Sequence, residues 1–277
     1  MNNEPTWAGV DDRLPPLQPG LIGWLRILVK GVFLVVVVFG GLLLHLTLRL
    51  IEWPLFGASR PWTPFLTQSV CRASLFIIGL GYQSHGTPMV HEGAVVSNHA
   101  SWLDIFVLNA SDRVYFVAKS EVAAWPGIGW LARATGTVFI RRDVRDAADQ
   151  KAMFETRLMA GHKLLFFPEG TSTDGRRVVP FKPTLFAAFF SEALRDRMWV
   201  QPVSIVYAAP EGGSETFYGW WGDMDFGGHL VRLLAAPRHG RVDVYWHMPL
   251  AVADFRNRKA LAKEAENAVR SAFGDTA

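Results

Sequence analysis

The sequence lacks most of the features that would hold a metal ion, a disulfide or a nucleic acid. Its single cysteine, Cys71, excludes an internal disulfide, and its place in an apolar stretch favours a buried, inert thiol. No cluster of Cys and His has the spacing of metal ligands, and no segment repeats. Runs of Lys or Arg are missing as well. We therefore expect no metal, no resident cofactor and no nucleic-acid partner.

What the chain has in quantity is apolar and aromatic side chains. Half of its 277 residues are hydrophobic, and 11 Trp and 19 Phe are among them. This composition is rich for a freely soluble protein and indicates contact with lipid. The length suffices for one substantial domain with an appendage. A net charge of +3 suits an anionic membrane surface or an acidic carrier protein, but it is too small to establish either partner.

The first part of the chain has the pattern of a membrane anchor. Residues 1–20 are polar and proline-rich, which predicts a flexible tail. Residues 21–50 are the most apolar segment, and between Lys30 and Arg49 only His45 is ionisable. Eighteen helical residues reach about 27 Å, slightly short of a hydrocarbon core of about 30 Å. The segment therefore either spans the bilayer or lies obliquely in one leaflet. A buried helix of a soluble protein is the alternative, which the lack of a polar face disfavours.

A second apolar stretch follows the first. Trp53 and Pro54 predict the end of the first helix, and residues 65–80 predict another helix with Arg72 near its middle. A charge in that position argues against an independent span and for a helix at the membrane interface. Gly and Pro residues then mark a boundary near residue 86. The sequence thus predicts membrane-anchoring helices over 21–85 and a separate domain over 86–277.

Strand-like and helical patterns alternate from residue 86 onward. This alternation predicts an α/β fold, with a mixed, largely parallel sheet flanked by helices and with sites at strand ends. The predicted strands are Ala94–Ser97, Val114–Val117, Thr137–Ile140, Leu164–Phe167, Val200–Val206 and Val242–Trp246. The predicted helices are Trp102–Ala110, Trp130–Ala134, Val144–Met159 and Thr184–Ala193, with a last helix capped by Asp254. Residues 210–240 give no clear pattern, and a membrane-facing insertion is one interpretation of them.

The segment Asn98-His99-Ala100-Ser101-Trp102-Leu103-Asp104 lies at a predicted strand-to-helix junction. A neutral imidazole accepts a proton from a hydroxyl, and a carboxylate fixes its tautomer and stabilises the imidazolium. The segment can fold His99 and Asp104 together. On its own the spacing is a weak signal, because a polar cap and a first-turn helix acid explain the same residues.

A second segment, Phe166-Phe167-Pro168-Glu169-Gly170-Thr171-Ser172-Thr173-Asp174-Gly175, also follows a strand-like run. Together with His99 and Asp104 it resembles the glycerolipid acyltransferase family, whose members acylate lysophosphatidic acid and related lysolipids. Two further blocks of the family occur in the expected order, at residues 136–142 and 200–205. The resemblance is close over about residues 86–205. It implies the glycerolipid acyltransferase fold with an N-terminal two-helix membrane anchor, since some members have such an anchor in one leaflet.

The resemblance implies roles for the second segment. Glu169, Gly170 and Thr171 match the acceptor-binding part: Glu169 as partner of an acceptor hydroxyl or cationic head group, Gly170 for close backbone approach, and Thr171 as a donor. Position 172 departs from the family, because members that make phosphatidic acid commonly have Arg there and this chain has Ser172. Serine supplies neither the charge nor the fork that suits a phosphate. The segment is more similar to the bacterial lyso-ornithine-lipid branch, although Arg176, Arg177 or Lys182 can replace the missing cation.

Other residues match less specific positions of the family. Lys119 and Arg141 match basic positions and are expected to contact the head group or the phosphate of an acyl carrier, whereas we expect Arg142 to be a solvated surface residue. Asn98 is expected to hold the loop through its amide, with a plain turn role equally open. Ser101 lacks the context of a nucleophile and is expected to have a structural or positioning role.

The resemblance implies a membrane-bound O-acyltransferase that moves an acyl chain from acyl-ACP or acyl-CoA to a lysolipid hydroxyl. Ser172 favours a lyso-aminolipid over lysophosphatidic acid as the acceptor. The implied location is the bacterial inner membrane, with the active site facing the cytoplasm. A noncatalytic lipid-binding protein is the alternative class, which the presence of His99, Asp104, Glu169 and Gly170 disfavours. A hydrolase would need a nucleophile or a metal, and the sequence has neither in a recognisable setting.

Overall fold

The computed structural model describes residues 17–141 and 147–276 of the chain. Most of the predicted flexible tail, Arg142 and the first residues of the helix predicted from Val144 lie outside these ranges.

A sheet of eight strands forms the centre of the described chain, in the order β1-β7-β6-β2-β5-β3-β4, with the short β8 paired to β6. Neighbouring strands are parallel except where β6 pairs with β7 and with β8. The mixed, largely parallel sheet predicted from the sequence is therefore confirmed. The strands are β1 (Gly81–His85), β2 (Gly93–Ser97), β3 (Tyr115–Lys119), β4 (Val138–Ile140), β5 (Leu164–Phe166), β6 (Trp199–Ala208), β7 (Arg241–Trp246) and β8 (Leu250–Ala251).

Helices cover both faces of the sheet. They are α1 (Leu21–Phe56), α2 (Thr63–Ile78), α3 (Asp104–Ser111), α4 (Ile128–Thr135), α5 (Ala147–Met159), α6 (Phe226–Ala235) and α7 (Arg258–Arg270), with a 3₁₀ segment at Pro183–Phe190. One core packs the sheet against α5, α7 and the 3₁₀ segment, and the other packs it against α2, α3 and α6. The central strands are apolar on both faces because both are covered, as in β2, where Ala94, Val95 and Val96 are fully buried.

The parallel strands put the candidate site at one edge of the sheet. β2 lies between β5 and β6 and is parallel to both, so the carboxyl ends of all three strands meet. The segments that follow β2 and β5 hold His99 and Glu169, respectively. The topology therefore brings together two motifs that lie 70 residues apart in the chain.

Several boundaries differ from the sequence predictions, and three of them change the description of an element or of the domain. The first helix continues through Pro54 to Phe56 and ends at Gly57. A proline this close to the carboxyl end disturbs only the last turn, whose carbonyls lack helical partners anyway. The sheet begins with β1 at residue 81, ahead of the predicted boundary at 86. The last helix is capped by Asn257, not by Asp254, since the Asn257 side chain accepts from two backbone N–H groups of the first turn.

α1 lies along the domain and has one apolar face exposed. Its 36 residues extend over about 54 Å, and it is long and apolar enough to cross a membrane. Near its start, Arg26 donates to the carbonyl of Ala235 at 3.3 Å, and Lys30 donates to the carbonyl of Ile78 at 2.8 Å. Near its end, Glu52 accepts from the Thr63 hydroxyl at 2.7 Å. The helix is therefore in contact with α6 and α2 near its start and with α2 near its end.

α2 runs antiparallel to α1 and packs into the core of the domain. Cys71, Leu75 and Ile78 on one face are buried, and Arg72 donates to the carbonyl of Ala110 at 2.9 Å. Burial raises the pKa of the Cys71 thiol to about 12, in agreement with the inert cysteine expected from the sequence. The charge in the middle of this helix thus has a protein partner.

Candidate active site

The loop after β2 is fixed to β6 by the side chain of Asn98. Its amide donates to the carbonyl of Ile205 at 2.9 Å, and its oxygen accepts from the N–H of Ile205 at 2.8 Å. This pairing copies a backbone ladder, so the side chain continues the contact between the two strands beyond Ser97. The next residue, His99, starts from a fixed position at the sheet edge.

His99 and Asp104 form the central pair of the site. The ring Nδ1 of His99 lies 2.7 Å from Oδ2 of Asp104. Asp104 is completely buried at the first turn of α3, whereas 21 % of the His99 side chain is exposed. A ring that donates from Nδ1 to the carboxylate has its lone pair on Nε2. The arrangement presents a general base to whatever enters the site.

Two backbone groups hold the Asp104 carboxylate in place. The N–H groups of Ala100 and Ser101 donate to Oδ2 at 2.8 and 3.0 Å. The Ser101 side chain is fully buried, and its Oγ lies 3.4 Å from the N–H of Leu103. The structure thus places Ser101 within the loop framework.

Tyr207 is a part of the site that sequence reasoning missed. Its hydroxyl donates to Oδ1 of Asp104 at 2.7 Å. Burial and the neighbouring Asp104 charge raise the pKa of Tyr207 well above its usual value, so the hydroxyl stays a donor. Tyr207 lies one residue beyond the predicted end of its strand. Since sites were expected at strand ends, this position was the one feature of the sequence that could have identified Tyr207.

Glu169 lies beneath the His99 loop. Its Oε2 accepts from the backbone N–H of His99 at 2.9 Å, and its Oε1 accepts from the N–H of Val179 at 3.1 Å. The side chain is buried, and burial raises the pKa of its carboxyl well above the usual range, although the two N–H groups act against this shift. Both oxygens of Glu169 therefore have backbone partners in two loops, and the acceptor contact expected from the sequence stays a prediction.

The residues after Glu169 form a tight turn against the same loop. Gly170 has φ +70°, a backbone conformation that favours glycine. Thr171 and Ser172 are half-buried. Thr173 donates from its N–H to the carbonyl of His99 at 2.8 Å. The Thr171–Ser172 turn therefore lies beside the pair of His99 and Asp104.

Lys119 and Arg141 are on the same edge of the sheet but farther away. They are exposed at the carboxyl ends of the paired strands β3 and β4. With about 4.8 Å between neighbouring strands, they are about 10 and 15 Å from β2. The structure thus brings His99, Asp104, Asn98, Ser101, Glu169 and Gly170 together and leaves Lys119 and Arg141 at the periphery.

Aromatic residues and the segment at 210–225 complete the surroundings of His99. The Phe167 ring stacks on the imidazole, with centroids 4.0 Å apart and an interplanar angle of 11°. Trp220 donates from its backbone N–H to the carbonyl of Ala100 at 2.8 Å. Trp102 donates from its indole N–H to Nδ1 of His229 on α6 at 2.9 Å. The part of the chain without a clear sequence pattern is therefore a wall of the site.

This arrangement can deprotonate a hydroxyl that then attacks an activated carbonyl carbon. The His99 ring stacks on Phe167 and is partly exposed, and the Asp104 carboxylate that orients it is buried and held by several donors. In the described residues, no group of three or more His, Cys, Asp and Glu is placed to hold a metal ion.

Comparisons with known proteins agree with this chemistry. The model of the acyltransferase family matches residues 82–206. A lyso-ornithine lipid O-acyltransferase of Rhodobacter capsulatus is 56 % identical over 270 residues, covering 98 % of each chain. A 1-acyl-sn-glycerol-3-phosphate acyltransferase of Neisseria gonorrhoeae is 32 % identical, covering 66 % of this chain and 70 % of that protein.

A solved structure has the same fold. The 1-acyl-sn-glycerophosphate (LPA) acyltransferase of Thermotoga maritima superposes with a TM-score of 0.65 at 20 % identity, over 91 % of this chain and 96 % of the other. The protein therefore belongs to the acyltransferase family and is an acyltransferase enzyme.

Proposed function

We propose that this enzyme transfers a fatty acyl chain from a thioester to the hydroxyl of a lysolipid, with a lyso-ornithine lipid as the acceptor. The observation that carries the proposal is the accessible His99 ring on a fully buried Asp104, at the sheet edge. The similarity to the lyso-ornithine lipid O-acyltransferases of Rhodobacter capsulatus and Brucella abortus supports the choice of acceptor. Ser172 supports it as well, because this position offers no cation to a phosphate.

The reaction needs only one proton carrier. Nε2 of His99 takes the proton of the acceptor hydroxyl as its oxygen attacks the thioester carbonyl carbon. The tetrahedral intermediate collapses, the C–S bond breaks, and the imidazolium returns the proton to the departing thiolate. Asp104 stabilises the imidazolium in between. No cofactor takes part, and the acyl donor, acyl-ACP or acyl-CoA, is a substrate.

Lys119 and Arg141 suit the donor better than the reacting hydroxyl. The backbones of their strands lie two and three strands away from β2, farther from His99 than Glu169 is. Both CoA and the phosphopantetheine arm of an acyl carrier protein have phosphate groups at a distance from the thioester. We assign the two cations to that part of the donor.

Purified enzyme, supplied with acyl-ACP or acyl-CoA and a panel of lysolipids, tests the acceptor by mass spectrometry of the products. We expect acylation of lyso-ornithine lipid in preference to lysophosphatidic acid. Ser172→Arg is expected to shift the ratio of kcat/KM toward lysophosphatidic acid by about ten- to a hundredfold. Efficient acylation of lysophosphatidic acid alone would instead support the 1-acylglycerol-3-phosphate acyltransferase activity. No acylation of any lysolipid would favour a noncatalytic lipid-binding protein.

We assign the enzyme to the cytoplasmic face of the bacterial inner membrane, anchored by α1 and α2 in one leaflet. The support for this orientation is that α1 contacts α6 and α2 near its start and α2 near its end, with large apolar side chains exposed from Leu21 to Phe56. A helix that follows the domain in this way is placed better along a membrane surface than across it.

Site-directed labelling tests the orientation. The buried native Cys71 should not react, so cysteines placed at Leu25, Val36 and Leu50, each more than half exposed, can be labelled selectively. A helix along one leaflet predicts similar quenching depths for the three probes in vesicles with nitroxide lipids. A spanning helix predicts a deep probe at Val36 between two shallow ones. A probe at the exposed Val90, before β2, is the aqueous control.

A further inference from the structure

Two ion pairs lie on the turn that follows the Glu169 segment. Arg177 pairs with the nearly buried Asp174 at 3.0 Å, within the turn itself. Arg176 pairs with Glu215 at 2.9 Å and thereby joins the turn to the segment at 210–225. The side chains of Arg176 and Glu215 are 48 % and 74 % exposed, so a ligand can reach both charges.

The pair of Arg176 and Glu215 lies next to the loop that holds His99. Gly175, which precedes Arg176, has φ +81°, and a Cβ there would lie 3.3 Å from the Ala100 side chain. On the other side, Gly219 packs on the carbonyl of Asp174, and the N–H of Trp220 donates to the carbonyl of Ala100. Arg176 and Glu215 therefore lie on the two segments that contact Ala100, the residue after His99.

A lyso-ornithine head group has the complementary charges. Ornithine that is acylated on its α-amino group retains a carboxylate and a side-chain ammonium, whereas lysophosphatidic acid has only the negative phosphate. The planar guanidinium of an arginine suits a carboxylate, and a glutamate suits an ammonium while repelling a phosphate. An exposed ion pair is weak in itself, so exchanging it for a ligand of the same charges costs little.

We propose that Arg176 and Glu215 form the subsite for a zwitterionic aminolipid head group, with the carboxylate on Arg176 and the ammonium on Glu215. This subsite rests on the proposed lyso-ornithine lipid activity and deepens it. It explains how the enzyme recognises its acceptor although position 172 has no cation. It also gives the segment at 210–225 a role in selecting the substrate.

The test compares two acceptors with the full-length enzyme in vesicles: lyso-ornithine lipid and the same lipid with its side-chain amine acetylated. For wild type, we expect acetylation to raise KM about tenfold or more with little change in kcat, because a charged hydrogen bond is lost. Glu215→Gln is expected to raise KM for the free amine similarly and to remove the difference between the two lipids. Arg176→Gln is expected to raise KM for both.

The chain has a matched control for these variants. Glu92 pairs with Arg197 at 3.5 Å, and both side chains are about half exposed. They precede the parallel strands β2 and β6 and therefore lie at the edge of the sheet opposite to the site. Glu92→Gln should leave both KM values unchanged. If wild type acylates lyso-ornithine lipid but Glu215→Gln behaves like Glu92→Gln, the subsite is wrong and the proposed function stands. If wild type acylates no lyso-ornithine lipid, the proposed function and the subsite are both wrong.

Discussion

The Glu169→Gln variant distinguishes between two roles for Glu169: support of the loop that holds His99, and direct binding of the acceptor. The glutamine keeps the shape of the side chain but has only one acceptor oxygen. Its NH₂ group would face the N–H of His99 or that of Val179, which the two carboxylate oxygens now accept. Leaving a buried N–H without a partner costs about 1–3 kcal/mol. We therefore expect a less stable protein and, because His99 is less firmly positioned, a lower kcat.

The control for this variant is a second buried glutamate. Glu266 accepts from the N–H of Phe181 at 2.9 Å, and none of its hydrogen bonds is to the His99 loop. Glu266→Gln should lower the thermal stability similarly while leaving kcat near the wild-type value. Thermal unfolding and steady-state kinetics on both variants provide the comparison. A Glu169→Gln enzyme with unchanged stability and kcat, and with only a raised KM for the lysolipid, would refute this role for Glu169. That result would instead support direct contact between Glu169 and the acceptor.

Three further predictions concern the same surroundings. Asp104→Asn should lower kcat about 10²–10⁴-fold while the protein stays folded by circular dichroism, because the neutral amide no longer stabilises the imidazolium by its charge. Tyr207→Phe should lower kcat about tenfold, because the Asp104 carboxylate loses a donor and is held less firmly against the His99 ring; an unchanged kcat would contradict this role. Burial, and to a smaller extent the charge of Arg232, lowers the pKa of His229 from 6.5 to about 4. The contribution of the neutral His229 to stability is therefore present above pH 6.5 and is lost as the pH falls toward 4. His229→Asn, which keeps an acceptor for Trp102, should reduce that acid sensitivity in thermal unfolding.

Local patterns were enough to predict much of the fold. The central strands follow from short apolar runs that need both faces covered, and their order along the chain implied a largely parallel sheet. The pairing of His99 with Asp104 was predicted from a strand-to-helix junction, because the turn before the first helical residues can bring the two side chains to the same place. These features depend on residues close together in the chain.

The features that sequence reasoning missed depend on contacts between distant segments. Tyr207 reaches Asp104 from a strand about a hundred residues later, and nothing near Tyr207 indicates that partner. The partners of Glu169 are backbone N–H groups, which no side-chain pattern reveals. α6 was overlooked because two glycines open it, although Asp225 caps it by accepting from Gly228.

The central claim is that His99 is the base in an acyl transfer to a lysolipid. The most direct test measures the acylated product formed by purified wild type and His99→Ala from acyl-ACP or acyl-CoA and lyso-ornithine lipid in vesicles. We predict product with wild type and a loss of at least about 10²–10⁴-fold with His99→Ala, at unchanged folding and membrane binding. Turnover by His99→Ala near the wild-type rate would contradict the account.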